Sequence, residues 1–277
     1  MEMGKKTKYQ MSISILNNEK SYLGEGLYVD NTNKVFFYVD ITKKNVIKYN
    51  KSNRFDYLDY PNIPSCIFSC NKNGITLLDD MGISFFNFEN HSNKLILDLS
   101  CEIRDRGYRG NDGLYHNDSY FFGTMHKEDA KNNIGALYHF KNKKLVKFDE
   151  MHIPNSFILN DNNLLISDSF KKIIYSYDIV TLEKTLWADL SDINLVPDGG
   201  CISDDGRIFI ALWGSSSIGE FDKNGSIVQI YQVPPFQPTN CKMFGNKKII
   251  FTSATIGMNK DMMLLYPDSG KTFIMDI

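Results

Sequence analysis

A phased repeat constrains this chain more than any other feature. Six stretches place a polar residue directly after a proline or glycine, at the start of a β-prone run. They are Gly24-Glu25-Gly26, Pro64-Ser65, Gly110-Asn111-Asp112, Pro154-Asn155-Ser156, Pro197-Asp198-Gly199 and Pro238-Thr239. The polar residues are separated by 40, 46, 44, 43 and 41 positions. A period in the low forties built from strand-like units is the mark of a β-propeller, one four-stranded blade per repeat. Within each repeat, apolar runs such as Val35-Phe36-Phe37-Tyr38-Val39 alternate with turns such as Asp204-Asp205-Gly206, the rhythm of a hairpin meander. Such continuous apolar runs fit strands covered on both faces by neighbouring blades.

The expectation is therefore an all-β fold, a single six-bladed β-propeller domain of four-stranded antiparallel blades over residues 1–277. Residues 1–7 are expected to be disordered. Residues 11–16 are expected to pair with the last strands of the chain, because an open propeller leaves a bare sheet edge. One helical turn is the most that residues 260–264 promise.

Composition narrows the function classes. The net charge of −2 gives no basic field for nucleic acid. No stretch approaches the length of apolar residues that spans a membrane. The five cysteines are an odd number, and Cys66 and Cys70 have no second pair or nearby His, so free thiols are expected rather than a zinc site. The N-terminal lysines lead into no apolar run of a signal peptide, which makes a cytoplasmic protein the expectation. A small-molecule site with local charge remains; the oligomeric state is open.

In a propeller the first strand of every blade lines the central channel, so the six phased residues converge on one axis. Glu25, Asn155 and Asp198 supply two carboxylates and an amide, oxygen donors suited to a hard divalent cation. Such a set leaves positions for water or substrate. Each residue alone is an ordinary turn former; the shared register is what favours a common site. Arg109 either clamps a ligand with its planar fork or pairs with Asp105 or Asp112. Asp112 is expected to fix its turn. His126 and Glu128 lie on a long polar connection, residues 126–134, which is either a flap over the channel or a solvated hairpin. Asp168 either supports the ligands from behind or caps a turn. No Ser/His/Asp arrangement supports nucleophilic catalysis.

The segments Gly24-Glu25-Gly26, Arg109-Gly110-Asn111-Asp112-Gly113, Phe122-Gly123-Thr124-Met125, Gly135-Ala136-Leu137-Tyr138, Pro154-Asn155, Pro197-Asp198-Gly199 and Pro238-Thr239-Asn240-Cys241 resemble, in order, the regucalcin/gluconolactonase family of senescence-marker-protein type sugar lactonases. The resemblance implies a six-bladed propeller with one divalent cation in the channel and hydrolysis of a sugar lactone. Ca2+ is the first candidate, and Zn2+, Mn2+ and Mg2+ are the alternatives. It makes Glu25, Asn155 and Asp198 the metal ligands, Asp198 the general base, and Arg109, Asn111 and Glu128 substrate contacts. Two departures stand out. Leu27 replaces a usual Pro after Gly-Glu-Gly, and Ser156 replaces a usual Gly after Pro-Asn. The competing readings are hydrolysis of another ester or phosphoester, and a non-catalytic propeller that binds calcium or a sugar acid.

Overall fold

The computed structural model describes residues 12–50, 52 and 54–277. The expectation for residues 1–7, and Met11 of the expected closing strand, lie outside them. Six four-stranded antiparallel sheets form the molecule. Their inner strands are Gly24–Asp30, Cys66–Asn71, Tyr108–His116, Pro154–Asn160, Val196–Ile202 and Gln237–Met243. Each inner strand packs against the next, and the sixth against the first, so the ring is closed and the fold is the expected six-bladed propeller. One short helix, Lys260–Leu265, interrupts the last blade; Asn259 caps it through a bond from the Met262 N–H. No helix among the described residues is long and apolar enough to cross a membrane.

The apolar second strands explain the packing. A hydrophobic cluster fills each junction between neighbouring blades. Phe37 and Val39 of the first blade meet Ile67, Ile75 and Leu77 of the second. Ile158 and Leu165 of the fourth meet Ile210 and Leu212 of the fifth. Side chains such as Phe36, Phe209, Phe251 and Phe273 have no exposed surface, and each such burial stabilises by about 1.5–3 kcal/mol. Leu27, at the position of the family's usual proline, packs with Phe36, Tyr38, Ile47 and Ile250 between the last blade and the first. It therefore contributes to the core that seals the ring.

Closure itself uses the N-terminal segment. Ile13–Asn17 pairs antiparallel with Thr272–Asp276 and supplies the fourth strand of the last blade. Asn17 is buried and donates through Nδ2 to the Tyr38 and Tyr57 hydroxyls at 2.7 and 2.8 Å, tying that strand to the first blade. Removing residues 1–17 exposes the edge of Thr272–Asp276 and leaves the buried Tyr38 hydroxyl without its Asn17 donor. It is expected to lower Tm by about 5–10 °C and to promote self-association through the bare edge. Calorimetry and light scattering on the truncated chain measure both.

Candidate active site

Every inner strand carries one extra residue relative to its partner. The register slips between Glu25 and Tyr28, Ile67 and Ser69, Gly110 and Gly113, Asn155 and Ile158, Pro197 and Gly200, and Pro238 and Cys241. A bulge bends its strand and re-aims side chains. Here the bulges sit beside the phased polar residues. Glu25, Arg109, Asn111, Asn155 and Asp198 together line a cavity of 580 Å³ at one end of the channel. The other two phased residues do not line it. Ser65 and Thr239 are fully buried and bond to backbone carbonyls, Ser65 to Leu78 at 3.1 Å and Thr239 to Gly24 at 2.5 Å.

Asn111 and Asn155 form the polar floor. Asn111 Nδ2 donates to Asn155 Oδ1 and to the Pro154 carbonyl, both at 2.9 Å. Asn155 Nδ2 donates to Ser169 Oγ at 2.9 Å, which leaves its amide oxygen aimed the other way. Arg109 Nη1 donates to Asn111 Oδ1 at 2.6 Å and to the Gly110 carbonyl at 2.8 Å. Its fork is thus anchored at one corner. None of the ion pairs among the described residues joins it to Asp105 or Asp112.

Two glycines make room for this floor. A Cβ at Gly26, where φ is +60°, would lie 2.3 Å from the Ser65 carbonyl oxygen; one at Gly199 would lie 2.3 Å from the Asn240 amide. Ser156 adopts φ +77° without being glycine. Its hydroxyl donates to the Asp198 carbonyl at 2.6 Å and lies 3.1 Å from Ser167 Oγ. This bond compensates for a backbone conformation that costs a non-glycine residue roughly 1 kcal/mol or more. Ser156→Ala keeps the strain and loses the bond, whereas Ser156→Gly loses the bond but removes the strain. Denaturant unfolding is therefore expected to rank the glycine variant above the alanine variant by about 1 kcal/mol.

The electrostatics single out two groups. Burial, and then the Asp112 carboxylate, raise Glu25 from its ordinary 4.5 to about 8. Burial, and then Glu25, push Asp198 well above the usual carboxylate range. Burial also pulls Arg109 down to about 10. Asp198 Oδ1 is buried and has no hydrogen-bond partner. None of the ion pairs among the described residues neutralises Glu25 or Asp198. Two desolvated carboxylates, one with an orphaned oxygen, beside an amide oxygen fit a hard divalent cation. Among the described residues, no cluster of three or more His, Cys, Asp or Glu side chains is placed to hold a metal; this donor set has two carboxylates and relies on Asn155 for its third oxygen.

The remaining expectations fall as follows. Glu128 is exposed on the 126–134 connection and does not line the cavity, whereas its neighbour Lys127 does. His126 Nδ1 accepts from the Glu128 and Asp129 N–H groups, so it organises that loop. Asp112 Oδ1 accepts from Gly113 N–H at 2.8 Å, and the residue faces a second cavity at the far end of the channel. Asp168 accepts from the N–H groups of His152, Ile153 and Phe170. It thereby fixes the backbone leading into Pro154-Asn155 as well as the loop that carries Ser169. Cys66, Cys201 and Cys241 are buried free thiols, Cys70 is half-buried and Cys101 exposed.

Sequence reading missed Met125, Lys127, Ser169, Phe170, Lys172 and Trp213, all of which line the cavity. A signal for them existed. Antiparallel pairing sets the end of each second strand beside the start of its inner strand, as Arg109 pairs with Met125 and Val196 with Trp213. Residues at or just after second strands therefore frame the same mouth.

The description SMP-30/Gluconolactonase/LRE-like region matches residues 23–255. The chain belongs to the SMP-30/gluconolactonase/LRE-like family. Among curated relatives it is similar to a putative sugar lactone lactonase of Rhizobium meliloti (strain 1021), with 28% identity over 95% of this chain and 92% of that protein. It is also similar to regucalcin of Danio rerio, with 24% identity over 95% of this chain and 93% of the relative. Among solved structures, a calcium-binding regucalcin from Agrobacterium tumefaciens superposes with a TM-score of 0.87 at 22% identity, covering 94% of this chain and 92% of its own. At that identity the last likeness speaks for the fold of this family member.

In metal-free protein the raised carboxylates tie stability to pH. Each binds its proton more tightly folded than unfolded, so the stability it contributes is complete below its unfolded value and is lost as pH rises through its folded value. Stability is therefore expected to decline between pH 4.5 and about 8 for Glu25, and Glu25→Gln should flatten that slope. Urea unfolding in chelator at several pH values measures it. An unchanged slope in the variant would assign the window to other groups.

Proposed function

We propose that this protein hydrolyses a sugar lactone at the channel mouth with the help of one divalent cation. The observation that carries the reading is the pair of desolvated, un-neutralised carboxylates, Glu25 and Asp198, in one cavity with Arg109, Asn111 and Asn155. The curated relative described as a putative sugar lactone lactonase supports the reaction class. The solved relative described as a calcium-binding regucalcin supports a cation in such a propeller.

Glu25, Asn155 and Asp198 would hold the cation. Their all-oxygen set suits Ca2+ first, with Mg2+, Mn2+ and Zn2+ as alternatives. When bound, the cation supplies Lewis-acid polarisation of the lactone carbonyl. Asp198 is the general base. It takes a proton from the attacking water as the water oxygen bonds to the carbonyl carbon. The acyl–oxygen bond of the ring then breaks, and Asp198 returns that proton to the ring oxygen, now a hydroxyl. One water is consumed and a hydroxy acid is released.

Arg109 and Asn111 orient the substrate. Arg109 has donors left beyond its two bonds, no acceptor, and no accessible neutral form. The contact expected of Glu128 would require the 126–134 connection to fold inward, and Lys127 is better placed for such a role. Hydrolysis of another ester or phosphoester, or non-catalytic calcium or sugar-acid binding, would use the same donors. Turnover of an aldonolactone with and without added metal separates these readings.

Asp198→Asn is expected to lower kcat by at least ~10²-fold, the usual loss on removing a general base, with metal partly retained. Arg109→Lys keeps the charge but loses the fork and should mainly raise KM. Asp198→Ala should weaken metal binding far more than Asn111→Ala. Steady-state kinetics at saturating metal, with metal titrations of the same variants, decide. A near-normal kcat in Asp198→Asn would remove the general-base role.

A further inference from the structure

The walls of the cavity differ in character. The cations all stand on one side, Lys127, Lys172 and Arg109 from the third and fourth blades, where the apolar Met125, Ile153 and Phe170 also lie; Trp213 and Val196 of the fifth blade, with Ile256 and Leu23, complete the other side without a cation. Arg109 is anchored to the floor, whereas the two lysines sit on connections that follow second strands, at the rim. A neutral polyol lactone offers this lysine pair no anion.

The charge balance sharpens the point. The whole chain is nearly balanced, with 31 Lys and Arg against 33 Asp and Glu, so a cationic cluster at one cavity is not a reflection of composition. A divalent cation on Glu25 and Asp198 offsets those two carboxylates and leaves the three cationic side chains. Lys127 has a carboxylate neighbour, Asp80, at 3.4 Å. Asp80 is itself buried and accepts through its other oxygen from Ile63 N–H at 2.9 Å. Lys172 has a neutral partner, Asn194 Oδ1, and takes part in none of the ion pairs among the described residues. The rim of the third and fourth blades therefore carries one lysine paired with a carboxylate and one, Lys172, with only a neutral partner, next to the floor that would hold the reacting ester.

We propose that Lys172 and Lys127 form an anion subsite, and that the substrate is an acidic lactone with a carboxylate or phosphate remote from the bond that breaks. The inference rests on the lactonase reading for the word lactone, and on the charge geometry alone for the anionic arm. In this arrangement Arg109 and Asn111 hold the part of the substrate near the floor. The lysines take the distal anion, and Phe170, 43% exposed and stacked on His152 at 4.7 Å, with Trp213 across the cavity, offers apolar faces to the carbon skeleton between them. Opening an acidic lactone yields a hydroxy acid with two anionic groups (called a dianion below, whatever the charge on a phosphate), so the products carry the same recognition signature and serve as probes.

The test is calorimetric titration of the metal-loaded full chain with D-gluconate, D-glucarate and 6-phospho-D-gluconate. At least one dianion is expected to bind about 10-fold or more tightly than gluconate, and the ratio should shrink as salt rises from about 50 to about 500 mM. Comparing glucarate with the phosphate ester tells which anion the subsite prefers. In the Lys127→Gln/Lys172→Gln double variant the ratio should fall to within about 3-fold, while Lys172→Arg should retain most of it. Circular dichroism confirms that the variants are folded. Equal binding of gluconate and both dianions by the wild type, or a ratio that survives in the double variant, overturns the subsite. A parallel turnover assay separates the two claims. Dianion discrimination with no lactone opened sinks the lactonase reading and upholds the subsite. Opening of neutral lactones without discrimination does the reverse.

Discussion

Closing a ring of six twisted sheets forces their inner strands together at the axis, and every seam there is held by a contact between chain segments far apart in sequence. Cys66 Sγ reaches the Gly113 carbonyl, Asn111 the Pro154 carbonyl, Ser156 the Asp198 carbonyl, Lys242 the Gly200 carbonyl and Thr239 the Gly24 carbonyl. At the remaining seam, Gly26 lies against the Ser65 backbone where no Cβ fits. These bonds join a side chain of one blade to an inner-strand carbonyl of its neighbour. A buried carbonyl left without a donor costs about 1–3 kcal/mol, so each seam bond helps hold its two blades together. The phased polar residues thus divide into two groups. Thr239 bonds across the closing seam and Ser65 within its own blade, while Glu25, Asn111, Asn155 and Asp198 line the cavity.

That division explains why the same architecture tolerates two desolvated carboxylates. Each resists ionisation in the metal-free protein, and their mutual repulsion adds to the effect. The six interblade clusters supply the compensating stability and prevent the site from relaxing by opening. Leu27 shows the coupling in one residue. It lies two positions after Glu25 and is buried in the cluster between the last and first blades, so the backbone that presents Glu25 is pinned by the core of the closing seam.

The repeat and the inner strands were legible because their requirements are local. A turn residue, a polar residue and an apolar run recur at nearly fixed spacing. Apart from the closing strand near the N-terminus, the outermost strands were not read individually. Lys184–Asp189 and Ile227–Gln232 face solvent along much of their length, so their alternation is diluted by charged and polar residues, and Val228 and Ile230 are exposed. The convergence of Glu25, Arg109, Asn111, Asn155 and Asp198 on one cavity was legible on the inner strands. The rim was not legible. Whether Lys127 or Glu128 faces the channel depends on how the 126–134 connection leaves its strand, and adjacent positions on a loop carry no periodicity to distinguish them. Ser156 was readable as a departure but not as a compensation, because its partner, the Asp198 carbonyl, lies 42 residues on in the next blade.

The two levels of the cavity obey different constraints. The floor is tied to the seams: Asn111 bonds at once to Asn155 and to the Pro154 carbonyl, and the backbone carbonyl of Asp198 accepts from Ser156. The rim is tied more loosely, with Lys127 paired to Asp80 of the second blade. Lys172 reaches one neutral side chain, and Phe170 leaves much of its ring in solvent. Substitution at the rim alters charge and shape near a substrate at little cost in folding, since surface changes away from caps and cores are usually worth within about 0.5 kcal/mol. Selectivity in this propeller is therefore free to drift at the rim while the floor chemistry stays fixed. Under the proposed reading, the charge of the rim, rather than the identity of the floor residues, sets which lactone this chain accepts.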